Sequence, residues 1–112
     1  MAGPFDPGTG GYSPAGGVLT DLYTCPDNRA VLISIMICNT GAATTFRISL
    51  ARKGAADDVS QYLFYDVAIG AAESVFLQNV SLDENDVVRG ESASGDVSFN
   101  VMVDEIKDIV AI

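Results

Sequence analysis

Val97-Ser98-Phe99-Asn100-Val101-Met102-Val103 alternates along its length. Val97, Phe99, Val101 and Val103 fall on one side, with Ser98 and Asn100 on the other. Successive side chains of an extended backbone point to opposite faces, so this pattern predicts a β-strand with one buried face. Residues 44–52 repeat it, with Phe46, Ile48 and Leu50 inward and Thr45, Arg47 and Ser49 outward. Residues 30–38 depart from it. Val31, Ile33, Ile35 and Ile37 share one face, but Leu32, Met36 and Cys38 make the other apolar as well, with Ser34 among them. A strand apolar on both sides is central, or turns its outer face to a neighbour.

Further out from these three lie residues 18–24, 61–67, 73–78 and 87–91. In 61–67, Tyr62 and Phe64 oppose Leu63, Tyr65 and Val67; in 73–78, Val75 and Leu77 oppose Phe76. Turn-forming clusters separate the segments: Pro26-Asp27-Asn28, Asn39-Thr40-Gly41, the polar stretch 53–60, Gly70, Asp83-Glu84-Asn85-Asp86 and Ala93-Ser94-Gly95-Asp96. Proline cannot donate to a ladder, and Asn, Asp and Gly accept turn geometry. Seven short strands between such turns predict an all-β fold, a single antiparallel β-sandwich of jelly-roll-like form. Its expected core is Val31, Ile33, Ile35, Phe46, Ile48, Leu50, Phe99 and Val101.

The ends read differently. Residues 1–17 hold six of the eleven glycines and three of the four prolines, with no period of 2 or 3.6. They predict an extended N-terminal arm before a sandwich domain at 18–106, and Phe5 and Tyr12 are its candidate docking rings. Residues 107–112 form an apolar tail in which Ile109, Val110 and Ile112 are candidate contacts. Ile106, Ile109 and Val110 also fit helical spacing, so a helix of one or two turns over 105–112 is the other expectation.

Composition narrows the function. The 112 residues allow one domain. Fifteen acidic residues against six basic ones give a net charge of −9, which disfavours nucleic acid and anionic membrane as partners. There is no histidine, so Ser-His-Asp and Cys-His catalysis and His-ligated metal sites are excluded. Asp83–Asp86 lacks the spacing of a calcium loop, since Val88 stands where glycine is required. It reads as a turn whose carboxylates cap local amides. Arg47 and Arg89 read as members of strand-face ion pairs, with an intersubunit salt bridge as the alternative. No catalytic residue, cofactor site or metal site is expected. Cys25 and Cys38 are expected as free thiols: a tight hairpin over Pro26-Asp27-Asn28 would hold them far apart. No signal peptide is visible, and residues 30–38 are far short of the roughly 20 apolar residues of a membrane helix.

From Leu22-Tyr23-Thr24-Cys25-Pro26 onward a longer pattern emerges. It continues through Ala30-Val31, Ile37-Cys38-Asn39, Phe46-Arg47-Ile48-Ser49, Tyr62-Leu63-Phe64-Tyr65-Asp66, Leu82, Asp86-Val87-Val88-Arg89, Val97-Ser98-Phe99-Asn100 and Glu105-Ile106. This order resembles small β-sandwich virion proteins of tailed bacteriophages, which serve as capsid cement or decoration proteins and as modules of tails and fibres. The resemblance spans about residues 19–106 and consists of core and turn positions. It implies a non-enzymatic protein of the virion, made in the host cytoplasm and placed on the capsid surface. The major capsid protein would be its partner. Self-association is implied as well, as a homotrimer first and a dimer next, with Tyr62, Phe64 and Tyr65 as candidate contacts on the sheet. A tail or fibre adaptor, or a surface carbohydrate-binding module, are the alternatives.

Overall fold

The computed structural model describes residues 10–108. They form eight strands: β1 (Gly10–Tyr12), β2 (Thr20–Thr24), β3 (Arg29–Asn39), β4 (Thr44–Ala51), β5 (Tyr62–Ile69), β6 (Ser74–Leu82), β7 (Val87–Ser92) and β8 (Val97–Asp108). Two 3-10 turns, Arg52–Gly54 and Val59–Gln61, break the polar stretch after β4. One sheet has the order β1-β8-β3-β6 and the other β2-β7-β4-β5, with every pairing antiparallel. First pairs with last, second with seventh, third with sixth and fourth with fifth. This is one long hairpin rolled into two facing sheets, the eight-stranded jelly roll.

Between the sheets lies the core. Ile33, Ile35, Ile37, Ile48, Ile69, Val88, Val97 and Phe99 are wholly buried, joined by Leu22, Phe46, Leu82 and Val101. Of the expected core only Leu50 is half-buried, at the margin of this cluster.

Four sequence expectations change. Gly10–Tyr12, read as arm, pairs with Phe99–Val101 of β8, and Tyr12 packs on the core. The chain from 10 to 17 also belongs to the sandwich, for Pro14 is buried and the Gly17 amide donates to the Ser92 carbonyl at 2.8 Å. Pro26-Asp27-Asn28 is no hairpin turn. It carries the chain from one sheet to the other, because β2 pairs with β7 and β3 with β8 and β6. Residues 105–108 are strand, not helix: β8 runs on beside β3, pairing Ile106 with Val31 and Asp108 with Arg29. A long-range ladder has overridden a weak local helical spacing.

Buried polar groups hold the turns. The Asn39 side chain, fully buried, donates to the carbonyls of Ala42 (2.9 Å), Gly70 (3.1 Å) and Ile69 (3.3 Å) and accepts from the Gly41 amide (2.9 Å). It ties the β3–β4 turn to the end of β5. Asp86, 1% exposed, accepts from the amides of Asp83 (2.9 Å) and Lys53 (3.0 Å) and from Arg52 (2.6 Å). This is the amide-capping role that the acidic turn suggested.

Candidate functional site

β5 lies at the edge of its sheet, and strict alternation fails along it. The ladder to β4 shifts between Phe46 and Ile48 and again between Ile48 and Ser49. Asp66 takes a φ of 51°, in the left-handed region that Asp tolerates better than most residues. Such a bulge adds one residue to a strand and resets the faces beyond it. Phe64 and Val67 therefore both pack on the core, while Tyr65 and Asp66 stand outside. Phe64, a sequence candidate for partner contact, meets Phe46 edge-to-face at 5.6 Å instead.

Outside β5 a small cluster forms. Tyr62 and Tyr65, set on opposite faces by simple alternation, come together at 5.1 Å between centroids with planes at 88°. The Arg47 guanidinium lies 4.1 Å over the Tyr65 ring. Its Nε donates to Asp66 at 2.6 Å, and its other nitrogens reach Asp66 at 3.2 Å and Glu91 at 3.8 Å. The hydrogen bond from Arg47 holds the Asp66 carboxyl below its ordinary range. The Tyr62 hydroxyl donates to Asp57 at 3.1 Å; partial burial, then this bond, raises its pKa. Perpendicular rings, one of them capped by an arginine, make no flat platform for a sugar. Leu63 and Tyr65 remain about half exposed beside this cluster. Leu63 was no candidate from sequence. Alternation alone sets it with Tyr65 opposite Phe64; the bulges, which no local signal announces, bring Tyr62 to the same side.

The other sheet carries a second surface. Across its outer face run Cys38 and Met36 on β3, Phe76 on β6, and Ser98, Asn100 and Met102 on β8. Met36 pairs with both Phe76 and Asn100, and Ser34 with Met102. Phe76 and Met102 are 45% and 37% exposed. Carboxylates stand at both ends: Asp104 accepts from the Ser34 hydroxyl and Glu105 lies opposite Leu32, and beyond the Cys38 row Asp96 lies beside Thr40. A hollow of about 170 Å³ at the Glu105 end, lined by Ala30, Leu32, Ser81, Glu105 and Lys107, is small beside the roughly 300–1,000 Å³ of small-molecule pockets.

Two remaining groups are structural. Arg89 pairs with Asp21 at 3.0 Å and donates to the Ala55 carbonyl at 2.9 Å, all within the chain. Both cysteines are free, as expected. Burial, reinforced by Asp86, Asp83 and Glu84, pushes the Cys25 thiol up to about 11, so it stays protonated and unreactive. Phe5, Ile109, Val110 and Ile112 lie outside the described residues. Among the described residues no cluster of metal-ligating side chains occurs, and no helix is long and apolar enough to cross a membrane. Compared with known proteins, the chain matches no family model, no curated protein and no solved structure.

Proposed function

We propose that this chain is a non-enzymatic structural protein of a tailed-bacteriophage virion. In this reading it is a capsid cement or decoration protein that ties neighbouring major capsid protein subunits together. The observation that carries the reading is where contact groups sit. Leu63 and Tyr65 stand exposed on β5, at one margin of the sandwich. The N-terminal segment joins β1, an edge strand of the other sheet. β6, the opposite edge of β1's sheet, is joined to β5 by a short turn. β1 and β5 therefore lie at opposite margins of the sandwich, as bridging two neighbours requires. Nine residues precede β1, and nine residues extended span up to about 30 Å. Phe5 would be the anchor on that side and Tyr65 on this one, since buried aromatics dominate contact energies. Jelly rolls occur in viral shells and in lectins alike. The sequence resemblance favours the first, and the perpendicular tyrosines disfavour the second.

The test adds purified full-length chain to phage heads that lack it. Binding at a fixed ratio to the shell protein, with genome released at higher temperature, is the expected outcome. Removing residues 1–9, or Leu63→Asp with Tyr65→Ala, should strip the protein from heads while leaving its circular-dichroism spectrum unchanged. The truncation stops at residue 9 because Gly10–Tyr12 belong to the sheet. Binding confined to the tail would replace the cement role with an adaptor role. No binding to the particle would overturn the virion reading.

A further inference from the structure

We propose that residues 3–9 of this chain form an edge strand along its own β8, latching the N-terminal arm to the sandwich in the free protein. β8 runs from Val97 to Asp108, but β1 covers it only from Phe99 to Val101. β3 lies along its other side throughout. Among the described residues, Met102–Asp108 therefore have no strand partner on the β1 side. Burial follows the cover. Phe99 and Val101, beside β1, are 0% and 1% exposed, whereas Val103 and Ile106 are only half-buried although both pack on the core. An unpaired edge leaves backbone donors and acceptors ready to pair with a further strand. The long edges β5 and β6 are each interrupted by a left-handed residue, Asp66 at φ 51° and Asn79 at φ 61°. β8 has none from Met102 to Asp108, so this stretch can still accept a strand.

The register names the occupant. Gly10, the first described residue, is already in the ladder opposite Val101, with Gly11 opposite Asn100 and Tyr12 opposite Phe99. The strands are antiparallel, so each step back along the chain moves one residue forward along β8. Thr9 falls opposite Met102, Phe5 opposite Ile106 and Gly3 opposite Asp108. The open stretch of β8 thus ends within the length of the nine residues that precede β1. β8 carries one extra residue there, Asp104, unpaired between the Val103–Ile33 and Glu105–Leu32 positions. Pro7 falls opposite it, and proline is tolerated on edge strands and at bulges. Beyond the bulge Ile106 faces the core across from Val31, and Phe5 would cover its open flank. Asp6 falls opposite Glu105, an unfavourable pair, but its diagonal neighbour is Lys107. The segment is continuous with β1, so no loop has to close to bring it to this edge, whereas a strand from elsewhere would have to be brought there. The reach toward a neighbouring subunit belongs to the same arm once released.

The test uses the full chain free in solution, so its outcome is independent of the virion reading. Amide hydrogen exchange followed by NMR reads the edge directly. The amides of 102–108 that point away from β3 should exchange about ten- to a hundredfold slower than unstructured ones. Gly3 and Gly8 make the segment costly to order, which keeps this figure modest. Phe5→Asp should return those amides to unprotected rates, while the Ile33 and Ile35 amides of β3 stay protected and report an intact fold. Val59→Asp adds the same charge at a site outside the sheets (74% exposed) and should change neither set. Nuclear Overhauser contacts from the Phe5 ring to the Ile106 and Val103 methyls should appear in uniformly labelled protein. They should be absent between labelled and unlabelled copies in a mixed sample. Unprotected edge amides in the wild type overturn the proposal. So does protection that survives Phe5→Asp, or contacts found only between copies, which would make the arm's partner a second chain.

Discussion

Gly90 occupies the middle of β7 and is buried against the core. A Cβ built there would lie 2.8 Å from Leu22 Cδ1 and 3.3 Å from Phe99 Cε2, and both neighbours are almost wholly buried. Gly90→Ala thus inserts a methyl into a filled core, which costs about 1–3 kcal/mol. Replacing glycine also restricts the unfolded chain, which returns about 0.4–1 kcal/mol. The net expectation is a loss of about 0.5–2 kcal/mol. The decisive measurement repeats the substitution in a Leu22→Ala background. Leu22→Ala alone should cost about 2–5 kcal/mol and leave a cavity beside residue 90. The same methyl now fills part of that cavity. At about 24 cal/mol per Å³, a ~25 Å³ group recovers about 0.6 kcal/mol, and the unfolded-state term adds to it. Gly90→Ala should then stabilise by about 1–1.5 kcal/mol, giving a coupling of about 2–3 kcal/mol between the two sites. Urea unfolding followed by circular dichroism of the four proteins reads this directly. If Gly90→Ala destabilises both backgrounds equally, Leu22 does not occupy the space that glycine leaves, and the packing argument fails.

Asp86→Asn should lower stability by about 1–3 kcal/mol at neutral pH, because the turn amides and Arg52 lose a charged acceptor. Burial alone would raise the Asp86 pKa, but the Asp83 and Lys53 amides and Arg52 outweigh it and hold it below the ordinary value. Its stabilisation is therefore complete above the unfolded pKa of about 3.9 and is lost as pH falls through the folded one; the gap between wild type and Asp86→Asn, measured by urea titration, should close in that acid range. Asn39→Asp replaces a buried donor with an acceptor facing three carbonyls, and thermal unfolding should reveal a loss of about 3 kcal/mol or more. Ala72 sits at φ 60°, so Ala72→Gly should stabilise the protein by up to about 1 kcal/mol and Ala72→Val should destabilise it, both readable by denaturant midpoint.

Alternation is a property of one strand, and it was legible. The faces of Val97–Val103 and of the strand around Phe46 and Ile48 follow from period 2 alone, and Val31, Ile33, Ile35, Phe99 and Val101 are buried as that period requires. The acidic turn at Asp83–Asp86 was legible too, because amide capping is local chemistry. Which strand lies beside which is not local. Pro26-Asp27-Asn28 reverses the chain equally well within one sheet or between two, and only the ladders of β2 with β7 and β3 with β8 decide. The aromatic cluster escaped for the same reason. Tyr62 joins Tyr65 outside and Val67 joins Phe64 inside because the bulges along β5 answer the register of its partner strand β4. Gly90 is the extreme case. In sequence it is an ordinary strand glycine, and its necessity comes from Leu22, brought beside it by the β2–β7 ladder, and Phe99, brought across the core from the facing sheet.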